Sequence, residues 1–304
     1  MKPYLALATI DLKLALRNKS VIFFNYLFPL IFFFAFAQFL GDGTGARISY
    51  IVSMVLVLGI LGNGLFGAGM RAVQEREANV LRRLKVAPIT PLPILVASMI
   101  TGWILYLPSV ALVFGLAYFL YGMPLPERMF TLLALISVGV VAFRAIGLII
   151  AAVANSVQES NILIQSLYMP MLFLSGATFP MTILPKWAQI TAQYLPASYL
   201  VTGFQGVFYR NESLLENWPA LFALSATVVL ATFISIQLFR WEKDEKIQGS
   251  AKLWVLGVLV PFVVLGAYQM WSHENIDKAE GLWRDLDRQV EQETAPDNGA
   301  SVQP

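Results

Sequence analysis

Arg144 is the residue with the most chemistry to explain. It stands inside an apolar run, about 11 residues before Asn155, which is roughly 16 Å along a helix by rise per residue. At that depth in a bilayer an arginine costs at least about 3 kcal/mol unless it is paired or hydrated. The long apolar runs hold no Asp or Glu to pair with it, except where their ends fray. Two chemistries remain open. Arg144 faces a wet cavity and attracts an anionic or phosphate-bearing molecule, or it bonds to carbonyls, to Gln165 or to a second protomer. Asn63, in another apolar run, poses the same choice between lining a path and hydrogen-bonding across helices as structural glue. Gly62, Gly64 and Gly67 spell G-x-G-x-x-G, but inside an apolar run with no preceding strand, so a dinucleotide site is rejected. With Gly59 and Gly69 they are expected to let that helix approach its neighbours closely. Zero cysteines exclude thiolate metal sites and cysteine nucleophiles, and a single histidine, His273, excludes a histidine cluster.

The elements that must hold these residues are membrane helices. Of 304 residues 57% are hydrophobic and 13% charged, and mean hydropathy is +0.65, so the chain needs lipid to cover its surface. A net charge of +2 gives no support for nucleic-acid binding. Seven runs are long enough to cross a bilayer: 21–40, 48–70, 94–121, 129–154, 160–178, 219–239 and 253–271. The first is too long for a usual signal-peptide core and is read as retained. Before it, Leu5, Ala8, Leu12, Ala15 and Leu16 share one face and Thr9, Lys13 and Arg17 another, which predicts a helix lying flat on the membrane. Lys and Arg gather before crossing one, between crossings two and three, and after crossing six, where Arg240, Lys243, Lys246 and Lys252 lie. The positive-inside rule then makes the N-terminus cytoplasmic, and a seventh crossing would put the C-terminus outside. Within the tail, Ile276, Ala279, Trp283, Leu286 and Val290 predict a short amphipathic helix before a disordered end. Pro108 predicts a kink in crossing three, either a hinge or a fixed bend.

Two stretches between crossings carry more information. Gln74 to Pro88 reads Q-E-R-E-A-N-V-L-R-R-L-K-V-A-P, with Ala78, Leu81, Leu84 and Lys85 on one face and Pro88 as the stop. It fits a charged surface helix able to transmit force from a cytoplasmic partner, or an ordinary basic loop. The second, F-L-S-G-A-T-F-P from Phe173 followed by L-P-K-W and L-P-A-S-Y, is apolar but broken at Gly176, Pro180, Pro185 and Pro196. Phe179, Trp187, Tyr194 and Tyr199 suit an aromatic belt, and two short dipping helices follow. Irregular backbone at that depth must be buried in protein or reached by water, so the stretch is an external gate or a structural cap.

Together and in this order, the two stretches resemble the signatures of the ABC type-2 transporter permease family over roughly residues 1–245. Glu75, Arg76 and Glu77, then Leu81, Arg82, Arg83, Leu84 and Pro88, look like its ATPase-coupling helix. Leu174 to Gly176, Pro180, Leu184-Pro185, Trp187 and Leu195-Pro196, with Tyr199 beyond, look like its re-entrant segment and external gate. The resemblance implies an all-α polytopic protein: an interfacial elbow helix (1–20), a six-crossing core (21–245), and two such cores per transporter. ATP and Mg would be bound by two copies of a separate cytoplasmic ATPase, and this chain would bind no cofactor. The sequence contains no G-x-x-x-x-G-K-[ST] phosphate-binding loop. Asn79 departs from the family's pattern, which has glycine there. So does the C-terminal part, an extra transmembrane helix (246–271) and an acidic tail (272–304).

The expected protein is thus a permease in a bacterial-type inner membrane, surrounded by lipid and paired with an identical or homologous protomer. It would not be an enzyme, and it would export a drug-like or lipid-like substrate past Arg144, Asn63 and Gln165. The rival classes are a self-contained secondary transporter and a membrane sensor or anchor.

Overall fold

Helices form wherever the apolar runs lie, because a backbone in lipid must satisfy its own hydrogen bonds. The computed structural model describes residues 2–40, 45–81, 90–179, 181–242, 245 and 257–272, and every regular element among them is helical. Helix α1 (Lys2–Arg17) leads to α2 (19–40), which is π-helical over Phe23–Leu27. Helix α3 (45–77) is α-helical over Gly45–Leu61, π-helical over Gly62–Met70 and α-helical again over Arg71–Glu77. Then come α4 (Pro91–Tyr121), α5 (Met129–Val153), α6 (Val157–Leu174), α7 (Lys186–Ala192), α8 (Pro196–Arg210), α9 (Trp218–Gln237) and α10 (Val260–Ser272).

Four described helices are long and apolar enough to cross a membrane: Arg47–Glu77, Pro91–Tyr121, Met129–Val153 and Trp218–Gln237. The chain is a polytopic membrane protein. The other expected crossings are shorter or more polar. Asn25–Leu40 and Gly257–Tyr268 are short apolar helices, and Gln158, Glu159, Asn161, Gln165 and Ser166 interrupt the apolar character of α6.

Helix α3 is the centre of the bundle. Its glycine-rich π segment lies against α5, α5 in turn supports α9, and α1 runs along α4. Contact with α5 is close enough to require glycine on both sides. A Cβ on Gly64 would stand 2.5 Å from the Phe143 backbone, and one on Gly147 would stand 2.3 Å from the Gly64 carbonyl oxygen. Such stripes of small residues are how membrane helices gain packing without a hydrophobic driving force. On the other side of α3, the Tyr106 ring lies over Gly59 and its hydroxyl donates to the Leu56 carbonyl at 2.7 Å. Pro108 sits within continuous α4, and Tyr26 donates to the nearby Leu105 carbonyl at 2.9 Å.

In α1, Ala8 and Ala15 are buried, the Ala8 carbonyl accepts from Thr101 of α4, and Ile10, Leu14 and Leu16 are exposed. Leu16 therefore faces away from the packed alanines with which it was expected to share a face. The surface helix expected over 74–88 also differs. Residues 74–77 are the last turn of α3, which stops at Ala78 and Asn79. Asn79 has φ of 57°, a left-handed conformation open to glycine and, among other residues, chiefly to Asn and Asp. That is the physical reason asparagine serves where the family pattern has glycine. Arg82, Arg83, Leu84, Pro88, Pro180, Lys243, Lys246, Lys252 and the tail from His273 lie outside the described residues.

Candidate functional site

Three polar sites interrupt this apolar bundle, and the first is built on Arg144. The side chain is 2% exposed. Its Nη1 donates to the Asn63 carbonyl at 3.2 Å and to Asn63 Oδ1 at 3.1 Å, and its Nη2 donates to Ser98 Oγ at 2.9 Å. Asn63 donates onward to Asn25 Oδ1 and to the Gly102 carbonyl, so one amide joins α2, α3, α4 and α5. Glycine makes room for the guanidinium, because a Cβ on Gly102 would stand 2.2 Å from Arg144 Nε. The Asn63 carbonyl belongs to the π-helical part of α3, and a carbonyl oxygen has a second lone pair free to accept from Arg144. Gln165 is elsewhere. It is exposed on α6 and donates to Asn161 at 3.3 Å.

The second site lies about two turns along α3. Arg71 donates Nη2 to Asp11 of α1 and Nε to Glu75 at 2.9 Å, which ties α1 to the end of α3. Beside it is a cavity of about 110 Å³ lined by Asn18, Val21, Phe66, Gly67, Met70, Arg71 and Gln74. Arg144 does not line it. Arg71 already holds two carboxylates, so this cavity offers an anion no uncommitted charge.

The third site is where α3 ends. Arg76, 3% exposed, donates to the Ala151 carbonyl at 2.7 Å and to the Ala154 carbonyl at 2.5 Å, while exposed Glu77 accepts from the Val157 amide at 2.9 Å. Leu81 is buried beyond the turn. Arg240 also reaches the Ala154 carbonyl, and donates to Asn155 Oδ1 at 2.9 Å. Burial holds its guanidinium below the usual arginine range, against the opposing pull of Glu159 and Glu245.

At the broken segment, Gly176 adopts φ of 86°, Pro185 precedes α7 and Pro196 opens α8. Trp187 is exposed. Tyr199 is not a belt residue: it is buried, donates to the Gln193 carbonyl at 3.1 Å and packs on Phe262 of α10 with ring centroids 5.5 Å apart. The reason is α10, which approaches α8 and the turn before it so closely that a Cβ on Gly266 would stand 2.8 Å from the Tyr194 ring.

Sequence reasoning passed over Asp11, Asn25, Ser98 and Gly102, although a polar side chain inside an apolar run is itself a signal. It counted Arg240 only as one of a basic group.

A family profile described as ABC-2 type transporter matches residues 3–209. The chain belongs to the ABC-2 type transporter family. The chain is 26% identical over 206 residues to the inner membrane transport permease YhhJ of Escherichia coli K12, covering 66% of this chain and 51% of YhhJ. It is 24% identical over 230 residues to the putative transport permease YvfS of Bacillus subtilis 168, covering 74% of this chain and 92% of YvfS. A third relative, the probable multidrug ABC transporter permease YbhR of E. coli K12, is 20% identical over 190 residues, with 62% and 50% covered. The chain spans about half the length of YhhJ and YbhR. The family match includes the third site up to Val157 but stops short of Arg240.

Proposed function

We propose that this chain is the membrane-spanning subunit of an ATP-driven exporter that moves a drug-like or lipid-like molecule outward across a bacterial-type inner membrane. In this reading residues 21–245 form a six-crossing core behind an elbow helix, with 246–271 as an added crossing and 272–304 as a tail. Two protomers pair with two copies of a separate ATPase, which binds ATP and Mg. In the same reading the N-terminus and the end of α3 face the cytoplasm, which the basic clusters support.

The observation that carries the reading is the end of α3. Arg76 and Glu77 fix its last turn to both α5 and α6, so a load applied beyond residue 77 is shared by three helices. A coupling segment needs that property, and an ordinary basic loop does not. Glu75 and Arg76 serve inside the bundle, which leaves Glu77 and Val80 as described surface residues an ATPase would grip. The external gate is the segment from Gly176 to Tyr199, whose breaks at Gly176, Pro185 and Pro196 supply hinges. The commitments of Arg144 to neutral partners and of Arg71 to carboxylates favour an amphipathic substrate over an obligate anion.

The test is purification of the tagged chain from its native membrane in mild detergent. A cytoplasmic ATPase is expected to accompany it, and Val80→Glu, at an exposed apolar residue beside the turn, is expected to release it. Absence of any ATPase from the wild-type preparation would reject the reading.

A further inference from the structure

Where one helix ends and the next begins, unpaired carbonyls and amides face each other across the turn. At 154–157 the carbonyls closing α5 lie beside the amides opening α6. Ser156 caps α6 by accepting from the Glu159 amide at 3.1 Å, and the Glu159 carboxylate accepts from the Asn155 amide at 2.8 Å. Local residues thus satisfy the Glu159 and Asn155 amides.

Long-range residues add a second set. Arg76 and Arg240 place guanidinium groups on the carbonyl end of α5, and Glu77 places a carboxylate on the amide end of α6. Each sign matches the helix end it meets. Two cations sharing the Ala154 carbonyl repel one another, and Glu77, Glu159 and Glu245 offset them. Glu245 also closes a loop around Arg240, accepting through its carbonyl from Nη1 at 3.1 Å and through its carboxylate from the Trp241 amide at 3.0 Å. These bonds satisfy end groups of both helices that the local residues leave open. Their distinctive effect is to bind the turn at once to the end of α3 and to the chain leaving α9.

We propose that Arg240 is a positioning residue of the transport cycle: with Arg76 and Glu77 it clasps the α5–α6 turn, so that displacement at the end of α3 is delivered along α6 to the external gate. This rests on the exporter reading. A turn held from α3 alone pivots about its bonds to Arg76 and Glu77 and absorbs the movement. Held also from α9, it moves as a unit. Helix α6, 18 residues or about 27 Å by helical rise and continuous through Pro170, then carries the movement to the Ser175–Gly176 break. This route runs beside the Arg144 cluster and does not pass through it.

The chain has no cysteine, so Phe179→Cys, at an exposed position in the gate segment, supplies a single reporter thiol. The permease–ATPase complex carrying it is placed in lipid nanodiscs, and labelling by a membrane-impermeant maleimide is timed with and without ATP. With Arg240 present, ATP is expected to change the labelling rate several-fold. Arg240→Gln is expected to abolish that response while the ATPase still co-purifies and hydrolyses ATP at close to its normal rate. Arg240→Lys should restore part of it, because an ammonium keeps the charge but lacks the planar fork that fits two acceptors at once. A merely structural role would lower yield and hydrolysis together and would not single out the ATP response. If Arg240→Gln does not fold, Asn155→Ala removes one bond of the clasp at an exposed position and must weaken the response. A full response in either folded variant overturns the clasp and leaves the exporter reading standing. Absence of an ATP response with Arg240 intact overturns both.

Discussion

Arg144 is charged, sits within a span, and meets only neutral acceptors among the hydrogen bonds it makes, two of them on Asn63. Removing it strands the two acceptors on fully buried Asn63, and each buried unsatisfied group costs about 1–3 kcal/mol. Arg144→Met is therefore expected to lower thermal stability in detergent by about that amount. Transport by the folded fraction should persist for neutral substrates. Selective loss of anionic substrates at unchanged stability would instead make Arg144 a substrate ligand. Gly102→Ala should mimic the defect, since its new methyl occupies the place of Arg144 Nε. Asn79 is a separate case, because its backbone and not its side chain sets the requirement. Asn79→Gly should be neutral or slightly stabilising, and Asn79→Val should cost about 1–2 kcal/mol for a left-handed β-branched residue. Thermal unfolding of the two variants checks the difference.

At the scale of elements, the crossing of α3 and α5 depends on which atoms a new methyl would meet. For Gly147 the obstacle is the Gly64 carbonyl on the facing backbone, which cannot rotate away. Gly115 of α4 has nothing within 4 Å of its Cβ position. Gly147→Ala should cost at least about 2–3 kcal/mol through overpacking, whereas Gly115→Ala should gain up to about 1 kcal/mol from helix propensity. Parallel melting curves test the pair, and equal effects would mean that the close crossing does not limit stability. The glycine run from Gly59 to Gly69 was legible as a site of close approach, and the runs at 94–121, 129–154 and 219–239 reappear as α4, α5 and α9. The partner of the glycines was not legible, because small residues announce closeness without naming a neighbour. Nor was the end of α3. The apolar periodicity continues through Asn79, and no Pro or Gly marks the turn. Arg240 was invisible for a third reason, since its acceptors on the α5–α6 turn, the Ala154 carbonyl and the Asn155 side-chain oxygen, lie about 85 residues away, and no local pattern ties them to it.

For the whole molecule the open quantity is the side of the membrane on which the chain ends, which depends on α10. As described, α10 is 13 residues, about 20 Å by helical rise and short of a hydrocarbon core of about 30 Å. Its packing argues that it is nevertheless part of the bundle. Phe262 is fully buried on Tyr199, Leu265 is buried, and Tyr268 lies near Trp218 at the start of α9. At its other end, Gly257 comes close to Ile234, near the end of α9. Helix α10 therefore runs antiparallel to α9 and spans most of its length, so the two ends of α10 sit near opposite ends of α9. If the basic residues after α9 are cytoplasmic, the residues after α10 are outside. Alkaline phosphatase, active only outside the inner membrane, should be inactive when fused after residue 245 and active when fused after residue 304. Activity at neither position would make α10 a helix that dips and returns, and would place the acidic tail beside the ATPase.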